Sequence, residues 1–326
     1  MSTLPTLVTT LQSSLSILHK QDIQTAASTL GQYVQTAEGN PIQLGDDCAA
    51  IPTEDGYLLF AAEGIVPQLV EHDPWFAGWC AVMVNLSDIA AMGGRPTAIV
   101  DALWSPSPSS SQPIWQGMQA AAKAYGVPIV GGHTNCHSPH FGLAAAVLGS
   151  AQHLITSFHA QPGDALVLVL NMNGEYHRDY PFWNAATQAN PTDLQAQLRC
   201  LPKLAATHLV NAGKDISMGG IAGTLLMLTE ASGCGAILQL DSLPRPTGVP
   251  WEKWLTSFPS FGFLLSLPPQ NVPKVQQLFT PHNLTCQPIG TLTPGHKVFL
   301  NYNNQQQLLW DLTQPLTGFS PTPPSP

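Results

Sequence analysis

The sequence predicts a mixed α/β or α+β fold in two similar domains, and three observations carry that expectation. Its 326 residues exceed what one typical hydrophobic core organises and suit two domains of roughly 150 residues each. Short apolar runs of strand type alternate with longer stretches of helical period along the chain, a pattern of mixed sheets packed with helices. The order strand, helix and acidic glycine-containing turn occurs on both sides of Pro162-Gly163-Asp164.

Leu7 to Tyr33 reads as helical, with Ser, Thr and Gln on one side and Leu11, Leu15 and Leu18 on the other, and is expected to be an arm or lid. Tyr57 to Ala62 is a short apolar strand. Trp75 to Met92, rich in Ala, Val and Met, is a helix whose Trp75, Trp79 and Met83 share a core-facing spacing. Thr97 to Trp104 is a strand, and Trp104 to Pro113, broken by Pro and Ser, is expected to be an exposed loop. A helix from Ile114 to Tyr125 ends at Gly126 and leads to the strand Val127 to Val130 and a turn at Gly131-Gly132-His133-Thr134. Leu143 to Leu148 is a strand that closes a first domain near residue 155. Pro162-Gly163-Asp164 is a turn signal directly before the continuous apolar strand Ala165 to Leu170.

The second half continues with a helix over Gly219 to Ser232, strands at Ala236 to Leu240 and Gly262 to Ser266, and a helix near Val272 to Phe279. Strands around Gln287 to Ile289 and Lys297 to Tyr302 follow, and Ser320 to Pro326 is proline-rich and expected to be disordered. The expected organisation is a helical arm over 1–40, a first domain over 41–157, a second over 158–304 and a proline-rich tail over 305–326.

A formal charge of −9 with only 11 Lys plus Arg argues against a nucleic-acid or anionic-membrane partner, because the net field attracts neither. No segment approaches the ~20 apolar residues of a membrane span, and the polar stretch Met1 to Leu18 predicts no secretory leader. The six cysteines are widely spaced without a Cys-x-x-Cys pair and read as reduced thiols of a cytoplasmic protein.

Charged residues are scarce here, yet carboxylates recur beside small-residue motifs: Asp46 and Asp47 after Gly45, Glu63 before Gly64, Asp88 in Asn85-Leu86-Ser87-Asp88, and Asp215 in Asp215-Ile216-Ser217-Met218-Gly219-Gly220. Such carboxylates suit a hard cation, and Mg²⁺ held by a few of them usually also holds a substrate phosphate. Glycines let a backbone approach phosphate closely. His133, Cys136, His137 and His140 fall in one short stretch, whose irregular spacing favours a polar active-site turn over a zinc cluster. The segment Asn173 to Trp183 reads as an aromatic-capped loop or as a substrate loop in which Tyr176 and Arg178 meet an anion. Asp101 and Lys214 read as solvated or helix-end charges.

Gly45-Asp46-Asp47-Cys48-Ala49-Ala50-Ile51, Asn85 to Pro96, Gly131-Gly132-His133-Thr134 and Asp215 to Ile221 come in the order seen in the aminoimidazole ribonucleotide synthase (PurM-like) superfamily, which the chain resembles over roughly residues 40 to 300. That superfamily includes thiamine-monophosphate kinase and selenophosphate synthetase, and the closest resemblance is to synthase-related proteins of cyanobacteria. The resemblance implies an N-terminal α/β domain that forms a barrel in a homodimer, a C-terminal α+β sandwich, and an ATP site between the N-terminal domains of both subunits. It further implies Mg²⁺ ligation by Asp47, Glu63, Asp88 and Asp215 with Asp46 beside them. Nucleotide contacts are implied at Asn85, Gly131, Gly132, His133, Thr134 and Ser217, with the acceptor entering a groove between domains. Met218 and His133 stand where thiamine-monophosphate kinase carries aspartates, and no general base is identified. The implied activity is an ATP- and Mg²⁺-dependent kinase or synthetase that releases ADP. The alternatives are thiamine-monophosphate kinase activity proper and a non-catalytic nucleotide-binding scaffold.

Overall fold

A computed structural model describes residues 3–321, and the chain divides into two compact units. One comprises Asp47–Leu154 and Ala186–Lys203; the other comprises the chain before Asp47, Ile155–Ala185 and the chain from Leu204 onward.

The first unit is built on β1 (Ala49–Thr53), β2 (Gly56–Gly64), α1 (Pro74–Ala91), β3 (Arg95–Trp104), α2 (Pro108–Tyr125), β4 (Ile129–Asn135) and β5 (Gly142–Ala151). The strands form a five-stranded sheet in the order β1-β2-β5-β3-β4, antiparallel except for the β3–β4 pair that α2 connects. Period-2 alternation puts Leu59, Ala61, Val147, Ile99 and Leu103 on one buried face, against which α1 packs. The other face carries Leu58, Phe60, Val100, Val130 and Leu148, all at least 40 % exposed.

The stretch expected to be a loop up to Pro113 instead contributes the first turns of α2. Ser107 caps the helix by accepting the Ser110 N–H at 3.2 Å and Pro108 occupies its first turn, where a missing N–H costs nothing. Helices α1 and α2 meet through glycines. A Cβ at Gly117 would lie 1.9 Å from the Trp75 carbonyl oxygen, and one at Gly78 would lie 2.1 Å from that of Ile114. Gly117→Ala should therefore lower stability by about 3 kcal/mol, as overpacking against rigid backbone does; unchanged urea unfolding would contradict this contact.

The second unit holds β6 (Ala165–Leu170), β7 (Ala212–Asp215), α3 (Gly220–Ser232), β8 (Gly235–Gln239), β9 (Gly262–Leu267), β10 (Thr285–Thr293), β11 (Lys297–Tyr302) and β12 (Gln305–Asp311). These strands form a seven-stranded sheet in the order β7-β9-β6-β10-β8-β11-β12. All six residues of β6 are buried, as its unbroken apolar run requires of a central strand. Helix α3 is buried from Gly220 to Ala231, so it runs through the core rather than along its surface.

Several expectations are corrected here. The N-terminal helical stretch is not one helix: Leu4–Gln12 and Ile23–Leu30 are separated by shorter turns, and a strand at Tyr33–Gln35 follows. It is no free arm or lid, because Leu4, Leu7, Val8, Leu11 and Ile17 belong to the same core as β6 and α3, whereas Leu15 is 66 % exposed. Strand β12 occupies the start of the stretch read as a proline-rich tail. Its antiparallel pairing with β11 and the fully buried Leu309 outweigh the polar run of glutamines at its start. Ser320 donates its N–H to Gln32 at 3.0 Å; residues 322–326 of the expected disordered end lie outside the described residues. Among the described residues, no helix is long and apolar enough to cross a membrane.

Candidate functional site

In the first unit the candidate residues are set by the sheet and by α1. Cross-strand register places Glu63 of β2, Ala145 of β5, Asp101 of β3 and Gly132 of β4 in one row, on the sheet face that α1 packs against. Two strand spacings put the Cα atoms of Glu63 and Asp101 about 10 Å apart, with only the methyl of Ala145 between them. Glu63 is exposed at the end of its strand.

Asp101 is the residue that sequence reasoning misplaced. It is neither solvated nor at a helix end but lies in mid-strand, 6 % exposed, and neither carboxylate oxygen meets a hydrogen-bond partner of good geometry. Burial pushes its carboxyl up to about 6, with its own backbone N–H and His133 opposing. The available signal was a single charge inside the apolar strand Thr97 to Trp104. Lys214 is likewise buried, in β7 opposite Leu264, and not a solvated charge.

Gly131-Gly132-His133-Thr134 is not a turn. It forms most of β4, an edge strand whose residues are exposed, paired in parallel with Val100 to Leu103 after a register shift. Gly132 is required there, because a Cβ would lie 2.0 Å from Asp101 Oδ1. His133 packs its ring against Trp104 at 5.7 Å.

Helix α1 carries Asn85 and Asp88, fully buried and 7 % exposed respectively, among Leu86, Ile89, Ala90 and Ala91. Asn85 donates its Nδ2 to the Ala81 carbonyl at 2.8 Å, while its Oδ1 has no hydrogen-bond partner. Polar groups in so apolar a helix cost free energy unless something else binds them. Asp47 is half-buried just before Cys48 and β1. Asp46 is committed locally: its Oδ2 accepts the Ser157 N–H at 3.0 Å and its Oδ1 the Ser157 Oγ at 2.8 Å.

In the second unit, Asp215 ends β7 at 6 % exposure and Ser217 precedes α3. Ser217 donates its N–H to Thr224 Oγ1 at 3.2 Å, and its own Oγ is buried without a partner. Gly220, at φ +65°, permits the tight entry into α3, since a Cβ would lie 2.4 Å from the Leu255 carbonyl oxygen. Tyr176 is engaged: its hydroxyl is 2.7 Å from Ser257 Oγ and Lys253 Nζ lies 3.7 Å from its ring centroid. Burial raises its phenol above the usual range. Arg178 is exposed in the adjoining turn, with φ +51°.

Among the described residues, no three His, Cys, Asp or Glu side chains gather as a group that could hold a metal ion. The His133 to His140 stretch thus offers no zinc cluster there. Glu63 and Asp101 share a row of the sheet, and Asp47 and Asp88 lie elsewhere in the same unit. Such an arrangement fits Mg²⁺, which usually takes one or two carboxylates and completes its shell with phosphate oxygens and water.

The Asp101 environment has a measurable consequence. Its raised folded-state pKa favours the protonated form, so its contribution to stability is full below about pH 4 and is lost as pH rises through about 6. Asp101→Asn should therefore stabilise the metal-free protein by about 1–2 kcal/mol at pH 7.5 and by almost nothing at pH 4. Equal effects at both pH values in denaturant melts would refute the buried-charge reading.

The AIR synthase related protein N-terminal domain family matches residues 45–151, and the AIR synthase related protein C-terminal domain family matches residues 161–303. An uncharacterized protein of Synechocystis is 56 % identical over 316 residues, covering 96 % of this chain and 98 % of that one. Thiamine-monophosphate kinase of Synechococcus elongatus is 27 % identical, covering 82 % and 89 %. Among solved structures, Thermotoga maritima PurL complexed with ATP superposes with a TM-score of 0.75 at 19 % identity, covering 94 % of this chain and 53 % of that one. AaThiL complexed with AMPPCP and TMP gives 0.65 at 21 %, covering 88 % and 96 %.

Proposed function

The chain belongs to the AIR synthase related family, and from that premise we propose that it is an ATP- and Mg²⁺-dependent enzyme that transfers the terminal phosphate of ATP to a small-molecule acceptor and releases ADP. The observation that carries this reading is Asp101, a carboxylate sunk in mid-strand on β3 beside the exposed Gly131-Gly132 backbone, with Asp88 also buried on α1 of the same unit. Fold stability gives no reason to keep a charge at Asp101, whose carboxylate oxygens meet no hydrogen-bond partner, because burying it costs several kcal/mol without a compensating cation. Relatives named thiamine-monophosphate kinase, and solved relatives complexed with ATP or AMPPCP, support the same direction.

In this reading one or two carboxylates at a time, drawn from Asp47, Glu63 and Asp88, would hold Mg²⁺ together with the phosphates. Gly131, Gly132 and His133 offer backbone and ring contacts to the phosphates, with Thr134 and Asn85 as flanking polar groups. Asp215 and Ser217 stay candidate contacts by resemblance alone, and Asp46, held by Ser157, supports the acidic loop. Bound Mg²⁺ supplies neutralisation of phosphate charge, which is most of what phosphoryl transfer requires beyond in-line positioning. Gly132 has a second task, because its missing side chain leaves room for the Asp101 carboxylate.

The apolar open face of the first unit's sheet supports a homodimer in which two such sheets close into a barrel. Leu58, Phe60, Val100, Val130 and Leu148 form one contiguous exposed face, larger than scattered surface hydrophobics. Tyr176 and Arg178 remain the candidates for the acceptor.

Titration calorimetry with a non-hydrolysable ATP analogue tests the proposal. Binding that requires Mg²⁺ is expected, followed by acceptor-dependent ADP release on screening. Absence of binding with and without Mg²⁺ would replace the enzyme by a scaffold.

A further inference from the structure

The last turn of α3 grips the chain's C-terminal segment with a buried carboxylate. Glu230 is 6 % exposed. Its Oε1 accepts the N–H groups of Leu316 at 2.8 Å and Gly318 at 3.1 Å, and its Oε2 accepts the Thr317 N–H at 2.8 Å and Oγ1 at 2.7 Å. Hydrogen bonds to a charged acceptor are stronger than neutral ones, and here they solvate a carboxylate that water does not reach.

From the opposite side, Gln24 donates to the Pro315 carbonyl at 2.8 Å and Gln32 donates to that of Gly318 at 2.8 Å. Gly318, at φ +81°, then turns the chain sharply. The turn lays Phe319 directly on Gly45, where a Cβ would lie 2.3 Å from the ring carbon Cγ. Gly45 is the residue before Asp46 and Asp47.

A second connection runs from the same helix end to the same loop. Ser232 donates its Oγ to the Ser157 carbonyl at 2.6 Å, and Ser157 binds both oxygens of Asp46. Two arms from one turn of α3, through Glu230 and through Ser232, therefore converge on Gly45-Asp46. The strap lies after residue 303, where the family match ends.

We infer that Glu230 and Phe319 are positioning residues: the C-terminal strap they form holds the Gly45-Asp46-Asp47 loop in the geometry that binds cation and nucleotide. The functional half of this inference rests on the reading of Asp47 as a cation ligand. The mechanical half rests on the contacts alone. A loop with a glycine at φ +99° has many alternative conformations, and the Phe319 ring removes them by occupying the space beside it.

The test pairs hydrogen exchange with calorimetry on the full chain carrying Phe319→Ala, Phe319→Leu or Glu230→Gln. In Phe319→Ala and Glu230→Gln, amide exchange over residues 43–48 should rise about tenfold, while β6, β9 and β10 keep their protection and so show that the fold is intact. Mg²⁺-dependent affinity for the ATP analogue should fall about tenfold in both, and Phe319→Leu should recover most of it. Unchanged exchange over 43–48 overturns the strap. Raised exchange with unaltered affinity overturns its role in binding. If the wild type binds no nucleotide, the reading of the acidic loop falls, and the exchange result alone decides whether the strap holds that loop.

Discussion

Asp88→Asn is expected to weaken Mg²⁺-dependent binding of an ATP analogue by about 100-fold while leaving the thermal unfolding of the metal-free protein unchanged or slightly raised. Asn has almost the same volume, so the buried position on α1 stays filled and only the charge is lost. That charge sits 7 % exposed on a helix whose other buried positions are nearly all apolar. A buried carboxylate that serves as a cation ligand contributes most when the cation is bound. The sign of the stability change therefore separates the two roles. A structural aspartate loses stability on substitution, whereas a cation ligand loses affinity.

Thermal shift gives an independent readout of the same variant. A ligand that binds only the folded state stabilises it by about 2.7 kcal/mol at a hundredfold excess over its Kd. Wild type should show that upward shift with Mg²⁺ and ATP together, and Asp88→Asn should lose it. A normal shift and normal affinity in the variant would remove Asp88 from the site and, with it, one support for phosphoryl transfer.

The elements that sequence periodicity exposes most clearly are those whose burial is uniform. The six apolar residues of β6 could only be a central strand, and the Ala- and Val-rich α1 could only be a packed helix. What was less legible depended on neighbours distant in the chain. Gly131-Gly132-His133-Thr134 has the composition of a turn, yet parallel pairing with β3 draws it into an edge strand, and its glycine is explained by an Asp101 side chain thirty-one residues earlier. Asp101 itself was discounted because one charge in a short segment reads as solvated until the register beside Ala145 and Gly132 is known. Glu230 carries no local sign that it serves as an anchor, because its partners lie 86 to 88 residues ahead.

In the proposed dimer, Phe60→Glu should shift the protein to monomer at about 0.1 μM, with the circular dichroism of the folded chain retained. Phe60 is 48 % exposed on the open sheet face, paired across strands with Leu148 and two residues from Leu58 on its own strand. A glutamate there stays in water in the monomer and costs little. In a dimer whose sheets meet through this face it would be buried in an apolar seam without a cation, at a cost of several kcal/mol. A loss of about 4 kcal/mol corresponds to a roughly thousandfold rise in Kd, enough to dissociate a nanomolar dimer under the conditions of sedimentation analysis. If the nucleotide site needs both copies, analogue binding disappears with the dimer, while Mg²⁺-dependent binding that survives in the monomer assigns the site to one chain. A wild-type protein that sediments as a monomer would leave the exposed face unexplained by self-association and would overturn the barrel.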